Sequence, residues 1–272
     1  MKYHKDTYLM IIGGAEDQTS DKVILKKLVD CIPKKEKRMV VITTATEEPK
    51  EVGEQYVKVF EKLGVQKTVV LNITNREDTH DPKIKEEIEK GDCIFFTGGD
   101  QLRISSILGG TTVHELLHEI VEKGKIIAGT SAGASMMSEI MVVEGKDEEA
   151  PSRCTIKMAP GMGLVEGVII DQHFNQRGRI GRLLAAIAQN PHSIGIGIDE
   201  NTAILLNHTN VFEVVGSGVV TVIDGRNITY TNTSEQYPDD PLAITNVTVH
   251  VLPNGYRYDF STNTPILNKK QR

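Results

Sequence analysis

Residues 125–138 read KIIAGTSAGASMMS, and the local pattern of this stretch decides the fold class. Lys125-Ile126-Ile127-Ala128 has the length and composition of a buried strand, and Ala132 to Met141 has the composition of a helix. Gly129 and Gly133 flank Ser131 two residues away on each side, which lets a strand and a helix pass closely on a tight turn. A serine on such a turn is either an exposed nucleophile or a plain N-cap.

Outward from this unit the same alternation of short apolar runs and amphipathic stretches recurs. Tyr8 to Ile12 precedes a helix over Lys22–Cys31; Met39 to Thr43 precedes Pro49–Leu63; Thr68 to Ile73 precedes Pro82–Lys90; and Cys93 to Phe96 precedes Gln101–Lys123. Beyond Ile126–Ala128 and its helix Ala132–Met141 come Val168 to Ile170 with Ile180–Gln189, then the strand Ile194–Ile198. This rhythm predicts an α/β fold with a mostly parallel sheet and helices on both faces. After Asn201 the composition turns to alternating Thr, Val, Ile and Asn: Ala203–Leu206, Val211–Val215, Val219–Ile223 and Thr245–Leu252, then Tyr256–Phe260 behind an Asn254-Gly255 turn. These read as antiparallel strands added to one end. The expected organisation is a single domain over residues 1–272, with a parallel core over about 8–205 and a β extension over about 206–265.

The chain has 272 residues, 39% hydrophobic and 25% charged, with a formal net charge of −6, values that argue against disorder and against nucleic acid as the main partner. The N-terminal MKYHKDTYLMIIGG has too few apolar residues for a signal-peptide core, and no run approaches a membrane span, so a soluble, cytoplasmic protein is expected. Cys31, Cys93 and Cys154 are widely spaced and lack a CxxC pattern, so they read as small buried apolar residues, not as a disulfide or zinc framework.

In open parallel sheets the ligand sits beyond the carboxyl ends of the strands. The residues at those ends are Gly13-Gly14-Ala15-Glu16-Asp17, Thr43-Thr44-Ala45-Thr46, Thr97-Gly98-Gly99-Asp100-Gln101, Gly129-Thr130-Ser131-Ala132-Gly133, Asp171-Gln172-His173 and Asp199-Glu200-Asn201. Glycine pairs, a serine, a histidine and several carboxylates therefore gather at one edge. A serine hydroxyl needs a base within reach and a third group to orient that base. His173 is the histidine that directly follows an interior strand, and Asp199 and Glu200 both follow Ile194–Ile198; spacing does not choose between the two acids. The N–H groups of Ala132 and Gly99 are candidate oxyanion donors. The order serine, histidine, acid differs from that of ordinary α/β-hydrolases.

Arg177, Arg179 and Arg182 crowd the start of the helix Ile180–Gln189, where the helix dipole disfavours cations unless an anion offsets them. A substrate carboxylate would serve, since guanidinium forks suit carboxylates, and so would internal pairing with Asp171, Asp199 or Glu200. The segment 145–158, GKDEEAPSRCTIKM, has no clear period and reads as either a lid or a solvated loop.

Five stretches together resemble the cyanophycinases among the peptidase E-like serine peptidases: Gly-Gly-Ala-Glu-Asp at 13–17, Thr-Gly-Gly-Asp-Gln at 97–101, Gly-Thr-Ser-Ala-Gly-Ala-Ser at 129–135, Asp-Gln-His-Phe with spaced arginines at 171–182, and Gly-Ile-Asp-Glu-Asn-Thr-Ala at 197–203. The resemblance implies a flavodoxin-like sheet. It also implies a serine exopeptidase that degrades cyanophycin, a polyaspartate with arginine in isopeptide linkage on its side chains, to β-Asp-Arg dipeptides through an acyl-enzyme. Nucleophile, base and acid carry over to Ser131, His173 and Glu200, the oxyanion donors to Gly99 and Ala132, and the substrate-binding positions to Gln101, Asp171, Gln172, Arg177, Arg179 and Arg182. No metal or organic cofactor is implied, and a homodimer is. Asp171 or the acidic run Asp147-Glu148-Glu149 would suit the substrate guanidinium. The alternatives are an α-aspartyl dipeptidase of the peptidase E type and a non-catalytic anion-binding module of the same fold.

Overall fold

The computed structural model describes residues 8–152, 156–235 and 240–267; Cys154 and the middle of the 145–158 segment lie outside them. The elements run β1 (Tyr8–Ile12), α1 (Val23–Asp30), β2 (Arg38–Ile42), α2 (Pro49–Lys62), β3 (Lys67–Leu71), α3 (Pro82–Lys90), β4 (Cys93–Phe96), α4 (Gln101–Leu108), α5 (Thr112–Glu122), β5 (Ile126–Thr130) and α6 (Ala132–Ser135). They continue as β6 (Ile140–Gly145), β7 (Ile156–Pro160), β8 (Val168–Gln172), α7 (Ile180–Gln189), β9 (Ile194–Ile198), β10 (Thr202–Asn207), β11 (Val211–Gly216) and β12 (Val219–Asp224). Five short strands close the chain: β13 (Tyr230–Thr231), β14 (Ile244–Thr245), β15 (Thr248–Pro253), β16 (Arg257–Asp259) and β17 (Thr264–Ile266).

The main sheet has nine strands in the order β17-β16-β11-β10-β1-β5-β4-β2-β3. From β1 to β3 all neighbours are parallel, and from β1 outward through β10, β11, β16 and β17 they are antiparallel. Of the strands expected at one end, β10, β11 and β16 join the main sheet there as their alternating composition predicts, whereas β12 and β15 go to a second sheet. Helices cover both faces. On one, Ile24, Leu25 and Leu28 of α1 and Tyr56 and Phe60 of α2 pack on Met10, Met39, Val41, Phe95 and Ala128. On the other, Ile104 of α4 and Leu116, Leu117 and Ile120 of α5 pack on Ile11, Val40, Ile94, Phe96 and Ile127. The alternation along each strand sends successive residues into different cores.

Three further expectations from the sequence need correction. β8 and β9 do not extend the main sheet; they form a parallel pair inside a second, four-stranded sheet, β15-β12-β9-β8. Ile170, Ile196, Val220 and Val222 of that sheet share the core of the main sheet's α4–α5 face. Its other face carries α7, whose Leu183, Ala186 and Ile187 pack on Ile169 and Ile223. The IGIGI of β9 explains the arrangement: three isoleucines face the shared core, and on the opposite face the backbone of Gly197 admits the ring of Phe174, which a Cβ would meet at 2.5 Å.

The helix expected over Gln101–Lys123 is two helices. Gly109 N–H ends the first on Ser105 O at 2.9 Å, Gly110 takes φ 68, and Thr111 starts the second. The helix expected over Ala132–Met141 stops at Ser135, because incoming backbone takes the carbonyls its next turn would need. Met162 N–H donates to Met136 O at 2.6 Å, Val165 N–H to Met137 O at 2.9 Å and Gly163 N–H to Ser138 O at 3.1 Å. The chain then forms β6, paired antiparallel with β7, which uses part of the 145–158 segment. Cys93 is buried and Cys31 half-buried. Among the described residues no helix is long and apolar enough to cross a membrane.

Candidate functional site

The ends of β1, β5, β8 and β9 meet where the two sheets adjoin. Ser131 has φ 53 and ψ −109, a strained backbone for a residue with a side chain, which persists only where neighbours over-determine it. Its N–H donates to Ile12 O at 3.0 Å, and its carbonyl accepts the N–H groups of Ala134 and Ser135, each at 3.0 Å. The turn is too tight for side chains at its flanks: a Cβ on Gly129 would lie 2.1 Å from Gly133 O.

The strand-end pair Gly13-Gly14 organises the other half. Gly13 O accepts the His173 N–H and Gly14 O accepts the Asn201 N–H, both at 2.8 Å. The imidazole lies against Gly14, where a Cβ would come within 2.3 Å of its Cε1. His173 and Asn201 both take left-handed backbone angles, φ 50 and φ 47. The Glu200 N–H is held by Gln176 Oε1 at 2.9 Å. The result is a continuous line: Ser131 Oγ lies 3.0 Å from His173 Nε2, and His173 Nδ1 lies 2.6 Å from Glu200 Oε1. Asp199, the other acid open from spacing, is taken up elsewhere, accepting Asn175 N–H at 3.2 Å, Asn175 Nδ2 at 3.0 Å and Val219 N–H at 3.1 Å.

Burial lowers the His173 pKa below the usual 6.5; the hydrogen bond to Glu200 works against that, and the charges of Arg177 and Arg179 add to it. The lowered value favours the uncharged ring at neutral pH. The carboxylate fixes its proton on Nδ1, leaving the Nε2 lone pair toward the serine. Gly98 packs beside Ser131, a Cβ there falling 3.9 Å from Ser131 Oγ, and the Asp100 N–H ties the same turn to Ala45 O at 3.0 Å. Gly99 follows Gly98 on this turn and packs on the backbone of Ala45 and Thr46, and Ala132 begins α6 directly after the serine.

Arg179 and Arg182 are paired internally, with Asp171, one of the three acids that spacing offered, and with Asp147, which was not among them. Arg182 grips Asp171 through Nε at 2.7 Å and through Nη2. Arg179 bonds Asp147 Oδ1 through Nε at 2.9 Å and Gln172 O through Nη1 at 2.6 Å. Asp171 is 1% exposed and serves the arginines, whereas the Asp147 side chain is 38% exposed. Gln101 donates Nε2 to Val142 O at 2.9 Å, joining α4 to β6. Arg177, Arg179, Arg182, Lys146, Asp147 and Lys157 border a cleft of about 490 Å³. Among the described residues no three His, Cys, Asp or Glu side chains are grouped to hold a metal ion.

Strand-end position singles out Ser131 and His173 in the sequence and leaves Glu200 paired with Asp199 as the candidate acid. It does not single out Gln176 or Asp147, whose parts depend on what the fold sets opposite them. His114 and His118 of α5 are half-buried and share Met162 O, each at 2.9 Å.

The model of Peptidase family S51 matches residues 9–214. A cyanophycinase of Geminocystis herdmanii is 38% identical over 267 residues, covering 98% of each chain. A cyanophycinase of a Nostoc species is 37% identical over 259 residues, covering 95% of this chain and 87% of its own. Among solved structures, a peptidase from an acI-B1 actinobacterium superposes with a TM-score of 0.62 at 24% identity, over 90% of this chain and 97% of that one. A putative peptidase E protein from Listeria monocytogenes gives a TM-score of 0.52 at 20% identity, over 78% of this chain and 98% of that one. At these identities the two structures bear on the fold alone.

Proposed function

The chain belongs to peptidase family S51, and from that premise we propose that it is a serine exopeptidase that hydrolyses cyanophycin to β-Asp-Arg dipeptides. The observation that carries the reading is the hydrogen-bonded line from Ser131 Oγ through His173 to Glu200, at 3.0 and 2.6 Å. Relatives that cover nearly the whole chain carry the name cyanophycinase, and this supports the substrate.

In this reading Ser131 Oγ attacks the main-chain carbonyl of a polyaspartate unit while His173 Nε2 takes its proton. Glu200 holds the imidazole by Nδ1–H and stabilises the imidazolium that forms. The N–H groups of Gly99 and Ala132 receive the developing oxyanion, and the dipole at the start of α6 is too short to add much. Collapse of the tetrahedral intermediate returns the proton to the leaving amine. Water, activated by the same imidazole, then releases the acyl group from Ser131.

Each substrate unit brings a carboxylate and a guanidinium. Arg177, exposed at the rim of the cleft, receives the carboxylate together with Arg179 and Arg182, and the accessible Asp147 receives the guanidinium. Asp171 and Gln172 orient the arginines, and Gln101 keeps β6 in place at the cleft.

The test is digestion of cyanophycin granules with mass analysis of the products, alongside Asp-Leu as a second substrate. Wild-type protein releases β-Asp-Arg, and Ser131→Ala and His173→Ala each lose several orders of magnitude in turnover, on the order of 10⁴ to 10⁶-fold. Cleavage of Asp-Leu alone would make the protein an α-aspartyl dipeptidase, and retained activity in Ser131→Ala would remove the nucleophile.

A further inference from the structure

Glu16 is a carboxylate buried to 6% exposure at the end of the loop that follows β1, and the chemistry above gives it no part. Its Oε2 accepts the hydroxyl of Thr130 at 2.5 Å, and its Oε1 accepts the hydroxyl of Tyr56 at 2.5 Å and the amide of Gln18 at 3.3 Å. All three donors are neutral. A buried carboxylate held only by neutral donors is costly to keep, so its position calls for a reason.

The reason lies in what Thr130 precedes. It is the last residue of β5, paired in register with Ile12, and the next residue is Ser131 with its strained φ. An ionised carboxylate only accepts hydrogen bonds, so it fixes the direction of both hydroxyl protons and the rotamer of each side chain. Tyr56 completes the clamp from α2, its ring packed on Phe95 of β4 at 4.7 Å between centroids. One carboxylate thus links a rigid helix, a neighbouring strand and the residue on which the serine turn hinges.

We propose that Glu16 is a positioning residue for Ser131, acting through the Thr130 hydroxyl. The inference rests on the reading of Ser131 as nucleophile, but it concerns the serine's aim and not the substrate. A carboxylate that merely filled a polar hole would affect stability alone. A carboxylate that aims the serine affects the rate of attack at constant substrate affinity, since small misplacements of a nucleophile lower rates steeply.

The experiment compares Glu16→Gln, Thr130→Val, Thr130→Ser and Tyr56→Phe with wild type by two readouts. One is kcat and KM for dipeptide release; the other is the rate at which a fluorophosphonate probe labels the protein, with Ser131→Ala as the blank. Labelling needs no cyanophycin, so it tests the serine's aim even if the substrate assignment fails. Glu16→Gln and Thr130→Val are expected to lower kcat and labelling about 10 to 100-fold with KM within about twofold, and Thr130→Ser to stay near wild type. The double variant Glu16→Gln/Thr130→Val should fall no further than about the worse single change, because the two act through one contact. Labelling of Thr130→Val at the wild-type rate overturns the proposal. So does a Glu16→Gln protein that melts earlier but labels normally, or a double variant whose losses multiply.

Discussion

At His173, burial and the Glu200 carboxylate pull in opposite directions. Desolvation lowers its pKa from the usual 6.5, Glu200 raises it, and Arg177 and Arg179 lower it further. A general base works in its neutral form, so a lowered pKa extends activity toward acid, and the acid limb of kcat/KM is expected below 6.5. Removing a cation that lowers the value must raise it. Arg177→Ala therefore moves the limb upward, and Glu200→Gln, which removes a raising influence, moves it downward. The pH–rate profile checks both, with the imidazole chemical shift in NMR as a direct reading of the ring. The two acids after β9 separate by a second measurement. Glu200→Gln is expected to reduce kcat/KM by about 10² to 10⁴-fold at little cost in melting temperature. Asp199→Asn should mainly destabilise, because Asp199 accepts three hydrogen bonds from Asn175 and Val219. A larger rate loss in Asp199→Asn than in Glu200→Gln would reverse the assignment of the acid.

At the scale of elements, Gly197 shows how a strand aims a side chain in the next segment. Its backbone lies against the face of Phe174, and a Cβ would come within 2.5 to 2.6 Å of three ring carbons. Phe174 is buried and directly follows His173. Gly197→Ala should cost about 1–3 kcal/mol in the urea midpoint by overpacking, and should lower kcat by displacing the imidazole. Phe174→Leu in the same chain should recover part of both losses; a Gly197→Ala protein with normal kcat would mean that Phe174 does not set the ring. The same strand marks the limit of what sequence discloses. IGIGI is legible as a strand from its β-branched residues and length, but an apolar run buried on both faces does not state which sheet it joins, so the second sheet was not readable. The single helix expected over Gln101–Lys123 passes over Gly109-Gly110, where Gly110 takes φ 68 and the chain breaks into α4 and α5. The early end of α6 is not legible either, since it is caused by carbonyls captured by Met162, Gly163 and Val165 from a distant part of the chain. Ser131 and His173 stand out because strand ends concentrate chemistry, and Glu200 shares that position with Asp199; Glu16 also lies at a strand end, but its partners, like those of Asp147, are a property of the fold.

At the scale of the molecule, the serine hangs from one sheet and its histidine and acid from the other, so the line between them is only as firm as the core the sheets share. Ile11 and Ile127 of the main sheet and Ile170, Ile196 and Val222 of the smaller one belong to the same buried cluster, and the Gly13 and Gly14 carbonyls tie the strand ends together. Two layers with one core should unfold as one cooperative unit. Ile196→Ala removes a fully buried side chain at this junction and is expected to destabilise by about 2–4 kcal/mol, the usual range for such a truncation. In urea titrations of wild type and variant, circular dichroism and fluorophosphonate labelling should lose their signals at the same midpoint, shifted together in the variant. Labelling lost at clearly lower urea than the β signal would show that the smaller sheet swings away before the main one melts, and the shared core would then be insufficient to hold the site.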